Sequence, residues 1–192
     1  MTNGTPERIV TIFGGSKCGE DSAEYAEARR AGQLLAEAGF TICTGGYLGV
    51  MEAASRGAHE RGGRVLGIVM NQFKGEPNRF LTDKVATPHF YDRLQHLILR
   101  SVGFIALRGG MGTVTELSLV WNKIQTRVIE PRPLVLLGDC WPPVAPTLDA
   151  PPLDAFDTFD AACAPPLMRV PHAPQNCAPL IKAAPQFGQF IR

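Results

Sequence analysis

Apolar and polar positions along this chain alternate between two patterns, short β-branched runs and longer alanine- and leucine-rich stretches, with glycines at the junctions. The run Arg8 to Phe13 (RIVTIF) ends at Gly14-Gly15 and reads as a buried strand with its turn. Glu20 to Ala38 has helical composition, and Gly39 is placed to end it. Phe40 to Thr44 (FTICT) is a second strand, stopped by Gly45-Gly46, and a helix from about Gly49 to Arg61 follows. Val65 to Met70 makes a third strand, Val85 to Thr87 a short fourth, and Asp92 to Arg100 a helix. Gly103 to Leu107 (GFIAL) is another apolar strand, and after Gly109-Gly110 comes a helix from about Thr113 to Thr126. Pro133 to Leu137 (PLVLL), Leu167 to Val170 and Asn176 to Ala184 read as a strand, a last strand and a last helix. Strand, glycine turn and helix in repetition predict right-handed βαβ units. The expected fold is an α/β, Rossmann-like three-layer sandwich with a mainly parallel sheet. Ligands of such sheets bind beyond the carboxyl ends of the strands, where strand order reverses. Gly14-Gly15, Gly45-Gly46 and Gly109-Gly110 all stand at such ends.

Composition divides the chain unevenly. Nineteen of its 20 glycines precede residue 139, whereas 11 of its 16 prolines follow residue 138. Proline at that density interrupts helices and strands, so the chain reads as one domain over residues 1–192. Its core covers about 8–138, and a proline-rich extension over about 139–192 packs onto it. Lysine and arginine (19) balance aspartate and glutamate (18), which gives no bulk attraction to nucleic acid or to a lipid surface. No apolar run approaches a membrane span, and the start MTNGTPERIV lacks the plan of a signal peptide. The five cysteines are widely spaced and never C-x-x-C, so neither a disulfide framework nor a zinc site is expected, and the location expected is the cytoplasm.

The stretch from Leu107 to Glu116 (LRGGMGTVTE) is the most informative. It leaves a strand and opens a helix, so backbone N–H groups and the positive helix end converge where glycines let a phosphate come close. Gly109, Gly110, Met111, Gly112 and Thr113 form the candidate cradle. The plain alternative is a helix start with a Thr113-x-x-Glu116 capping box and no ligand. Neither Gly14-Gly15-Ser16-Lys17 nor Thr44-Gly45-Gly46-Tyr47 fits the dinucleotide or P-loop pattern, which leaves a mononucleotide or phosphosugar. Gly45, Gly46 and Ser16 are further candidate nucleotide contacts, although Gly45-Gly46 taken alone is a tight turn and Ser16 is explained equally by a surface turn. Asn78 and Arg79, in the polar loop Asn71 to Leu81, are candidate ligand contacts or simply solvated. Glu52 is best read as complementing a helix dipole. The four histidines show no metal pattern.

Arg108 to Glu116 resembles, except at its first position, the P-G-G-x-G-T-x-x-E signature of the LOG (Lonely Guy) family, often labelled lysine-decarboxylase-like. The resemblance covers roughly residues 8–138, including Gly45-Gly46 and the stretch Phe90-Tyr91-Asp92-Arg93, where the family has M-x-x-R-K. It implies a phosphoribohydrolase that splits a nucleoside 5′-monophosphate, such as a cytokinin nucleotide, into free base and ribose 5-phosphate. It further implies that Gly109, Gly110, Gly112 and Thr113 hold the phosphate, that Glu116 and Arg93 form the catalytic pair, that no cofactor or metal takes part, and that the protein is a homodimer. Three positions depart: Arg108 replaces the family proline, Leu94 the lysine and Phe90 the methionine. Leu94 and Arg108 favour the alternative of a non-catalytic carrier of a nucleotide or of the molybdenum cofactor, a phosphorylated pterin, on the same scaffold. No S-x-H-K-type lysine site supports a decarboxylase.

Overall fold

The computed structural model describes residues 7–141, together with the strand Leu167–Arg169. Seven strands, β1 (Ile9–Phe13), β2 (Thr41–Thr44), β3 (Val65–Met70), β4 (Asp83–Thr87), β5 (Gly103–Ala106), β6 (Leu134–Leu136) and β7 (Leu167–Arg169), form one sheet in the order β4-β3-β2-β1-β5-β6-β7. Every pairing is parallel. Four helices connect them: α1 (Ala23–Glu37), α2 (Val50–Glu60), α3 (Phe90–Leu99) and α4 (Met111–Gln125).

Side-chain alternation along each strand sorts the core into two layers. Val10, Ile12, Ile42, Val65, Ile105 and Val135 pack with Tyr25, Ala28 and Leu35 of α1 and with Ala53, Ala54 and Ala58 of α2. Ile9, Phe13, Cys43, Leu66, Ile68, Phe104 and Leu134 pack on the other face with Leu97 and Ile98 of α3 and with Leu117, Val120 and Trp121 of α4. The result is the three-layer sandwich. Helices α1 and α2 cross with backbone contact, because a Cβ on Gly32 would land on the carbonyl of Ala54 and one on Gly57 on that of Arg29. Ion pairs from Arg29 and Arg56 to Glu60 fasten the outer side of this pair.

Most boundaries lie within a residue or three of the expected ones. Strand β4 starts two residues earlier than expected, at Asp83, because Leu66 to Met70 of β3 pairs with the whole of Asp83 to Thr87. No helix joins β3 to β4. The segment 71–82 crosses over α2 instead, with Leu81 packed into that face and Asn78 tied to the turn below. Arg132 closes the C-terminal end of α3, its Nη1 donating to the carbonyls of Ile98 (3.0 Å) and Ser101 (2.6 Å). The expected strand in the extension is present as β7 on β6. The helix expected over Asn176 to Ala184 lies outside the described residues.

Candidate active site

The chain steps from β1 to β2, β3 and β4 on one side and returns to β5 on the other, so strand order reverses between β1 and β5. The loops leaving these two strands touch. Gly15 N–H donates to the Arg108 carbonyl at 3.0 Å, and a Cβ on Gly15 would lie 3.2 Å from Cα of Gly109. The β2 turn joins them, since Val50 N–H, at the start of α2, donates to the Gly15 carbonyl at 2.9 Å. All three glycine turns picked from the sequence thus meet at one crevice.

Helix α4 begins at Met111, two residues earlier than expected, with Gly110 as its N-cap and no side-chain cap. Thr113 therefore lies inside the helix, which overturns the capping-box alternative: Thr113 is not an N-cap, so it has no reciprocal arrangement with Glu116. By helix geometry the N–H groups of Met111, Gly112 and Thr113 have no acceptor within the helix. The Thr113 side chain is buried against Gly109, where a Cβ would collide with its Oγ1. The space beside Gly110 and Gly112 is open. Met111 projects its side chain into solvent at 77% exposure, so only its backbone faces the cradle.

Arg93 comes from α3 and Glu116 from α4, and both are withdrawn from water, their side chains 6% and 12% exposed. Arg93 Nη1 donates to Glu116 Oε1 at 3.1 Å, and its Nε donates to the Ile68 carbonyl at the end of β3 at 2.9 Å. Arg93 is thus a buried, doubly anchored side chain and not a solvated surface arginine. Burial pushes the Glu116 carboxyl above its ordinary range, and the charge and hydrogen bond of Arg93 pull the other way without cancelling it. A carboxylate held partly out of water beside one cation can stabilise a developing positive charge or orient a water.

Gly45 is fitted to this pair in a way the sequence alone did not signal. A Cβ there would fall on Nη2 of Arg93 and within 2.8 Å of the Met51 sulfur, so only glycine leaves the guanidinium its place. Gly46 adopts φ 81°, a backbone that favours glycine, while its N–H donates to the Thr44 hydroxyl oxygen at 3.0 Å. Asn78 is buried, but its amide is committed to the protein. It donates to the Tyr47 carbonyl at 3.0 Å, accepts from Phe80 N–H at 3.1 Å, and its own N–H bonds the Gly46 carbonyl. Asn78 braces the β2 turn. Ser16 is exposed at the rim, with its backbone against Gly49.

The departing positions have clear surroundings. Leu94 is buried at 3% exposure, where a lysine ammonium would need a buried partner. Phe90 is exposed and stacks edge-on with Tyr91. Arg108 is exposed and its Nη1 reaches Glu24 of α1 at 3.3 Å. Among the described residues no three His, Cys, Asp or Glu side chains group as a metal site, and no helix is long and apolar enough to cross a membrane. Cys18, Cys43 and Cys140 are free thiols, and burial pushes Cys43 up to about 12.

The family model described as the SLOG cluster4 family matches residues 7–132, from the residue pair before β1 to the end of the α4 exit. The chain belongs to the SLOG cluster4 family. Its match contains every residue of the crevice described above. A protein of Archaeoglobus fulgidus is 33% identical over 128 residues, which are 67% of this chain and 82% of that one. A rice protein named probable cytokinin riboside 5′-monophosphate phosphoribohydrolase is 35% identical over 137 residues, covering 68% of this chain and 54% of its own length. The Escherichia coli K12 pyrimidine/purine nucleotide 5′-monophosphate nucleosidase is 28% identical over 70% of this chain, and the match spans 32% of that larger protein. Among solved structures, the molybdenum cofactor binding protein of Rippkaea orientalis superimposes with a TM-score of 0.67 at 26% identity, over 92% of this chain and 96% of that one. LOG-like proteins and cofactor carriers share this fold.

Proposed function

We propose that this SLOG protein is a nucleoside 5′-monophosphate phosphoribohydrolase, active as a cytoplasmic homodimer and without metal or cofactor. The observation that carries the reading is the buried Arg93–Glu116 pair, 3.1 Å apart, at the same crevice as an uncapped, glycine-lined helix start. The cradle from Gly109 to Thr113 takes the 5′-phosphate through backbone N–H groups and the Thr113 hydroxyl. With the phosphate held there, the ribose faces Glu116, which lies further along the same helix. The glycosidic C–N bond breaks toward an oxocarbenium-like centre, water adds its oxygen to C1′, and the base leaves with a proton. Ionised Glu116 stabilises the developing charge and orients that water. Arg93, anchored on the Ile68 carbonyl, holds the carboxylate in position. Names of relatives at about a third identity support the reaction class. Relatives of rice, Arabidopsis thaliana and Rhodococcoides fascians named cytokinin riboside 5′-monophosphate phosphoribohydrolases support a cytokinin nucleotide as substrate.

The test is incubation with a panel of nucleoside 5′-monophosphates and the matching nucleosides, followed by chromatography for free base. Release from the monophosphates only supports the proposal. Absence of release from every nucleotide overturns it.

A second reading, a non-catalytic carrier of a phosphorylated pterin such as the molybdenum cofactor, is favoured by the end-to-end likeness to the Rippkaea protein and by leucine at the buried position 94. It predicts stoichiometric binding of the pterin phosphate with no product formed.

A further inference from the structure

Arg108 is where the chain breaks the family signature, and its surroundings show which way its charge works. The cradle stands at the end of β5, in the middle of the sheet. On one side, toward the ends of β2 and β3, lie Gly45, the Ile68 carbonyl and the Arg93–Glu116 pair. Arg108 leaves β5 on the opposite side. Its Nη1 meets Glu24 in the first turn of α1, and its charge acts on Cys140 beyond the end of β6. Glu27 and Asp139 face the same region and also act on Cys140. The Arg108 carbonyl is fixed by Gly15 N–H, so the backbone is held while the side chain, 69% exposed, can exchange partners. An exposed pair to one carboxylate is weak, and a phosphate offers the guanidinium a stronger, bidentate partner.

Resting on the cradle reading above, we infer that Arg108 is a specificity-determining residue for a second phosphoryl group, so that a diphosphate binds the crevice more tightly than, and competes with, the monophosphate that is cleaved. One phosphate sits on the α4 N-terminus with any ribose directed toward Glu116. The next phosphate extends toward β6 and takes Arg108 from Glu24. Proline at this position leaves no such cation.

Inorganic phosphate and pyrophosphate test this without turnover, because neither has a glycosidic bond. Phosphorus NMR titrations of the native protein should give pyrophosphate an affinity at least about tenfold above that of phosphate. Arg108→Gln and Arg108→Pro should bring the ratio close to one, and Glu24→Gln, which removes the competing carboxylate, should raise it. A ratio near one in the native protein, or one that survives in Arg108→Gln, overturns the role of Arg108 while leaving the cradle in place. Failure of the native protein to bind either anion overturns the cradle reading itself and this inference with it.

Discussion

The chemistry proposed for this protein depends on a few atoms around one guanidinium. Arg93 is useful because its Nε is fixed on the Ile68 carbonyl, its Nη1 on Glu116, and its Nη2 fills the place a Cβ of residue 45 would take. Gly45→Ala should therefore displace the arginine, cost about 1–3 kcal/mol of stability, and slow base release about a hundredfold, as small misplacements at a reacting centre do. Chemical denaturation and steady-state rates measure the two effects separately. The acid limb of the rate profile is the second expectation at this scale. Because burial raises Glu116 and its ionised form is the active one, kcat/KM should fall as pH drops through a value above the usual carboxylate range. The linkage to stability has the opposite sense. The folded state holds the Glu116 proton more tightly than the unfolded state, so this contribution to stability is full at low pH and is lost as pH rises through the raised pKa. The pair itself was legible as residue types in the LOG-like motif. Its burial, the Ile68 anchor and the reason for Gly45 were not, since they join segments far apart in sequence.

Among the elements, α1 and α2 show how glycine can matter outside turns. Gly32 and Gly57 bring the two helices into backbone contact, and their neighbours are carbonyl groups that cannot rotate away. Gly32→Ala should cost about 3 kcal/mol and lower Tm by roughly 10 °C, whereas Gly19→Ala, where a Cβ meets nothing within 4 Å, should leave Tm unchanged. Thermal unfolding followed by circular dichroism compares them. The sequence carried the strand–turn–helix order of these elements clearly, because β-branched runs and alanine-rich stretches have different periods. Helix starts were harder. Ser22 caps α1 by accepting from Tyr25 N–H at 3.2 Å, yet the acidic residues before it drew the expected start back to Glu20. At α4 the N-cap is Gly110, which has no side chain to announce it, and Thr113 offered a false cap three residues on.

For the whole molecule, the order of the strands was the part that local patterns could not supply. The reversal between β1 and β5 creates the crevice, and it depends on pairings such as Val10 with Gly103 that no sequence window contains. The meeting of three glycine turns there was foreseeable only as a property of parallel sheets in general. Subunit association belongs to the same scale. Tyr91 and Leu99 on α3, with Val102 just beyond it, are exposed at 81%, 49% and 42%, a concentration of apolar surface that a partner subunit would cover. Sedimentation equilibrium should give a dimer, about twice the 20.8 kDa chain mass, and Tyr91→Asp combined with Leu99→Asp should give the monomer.

In the proposed reaction the buried Glu116 acts on the glycosidic bond of a ligand held by its phosphate. The most direct measurement compares adenine release from AMP and from adenosine by the native protein and by Glu116→Gln, with ribose 5-phosphate assayed in the same samples. The native protein should release adenine and ribose 5-phosphate in equal amounts from AMP and none from adenosine, and Glu116→Gln should lose at least about a hundredfold of that activity. Equal release from AMP and adenosine, or undiminished release by Glu116→Gln, would contradict the proposed reaction.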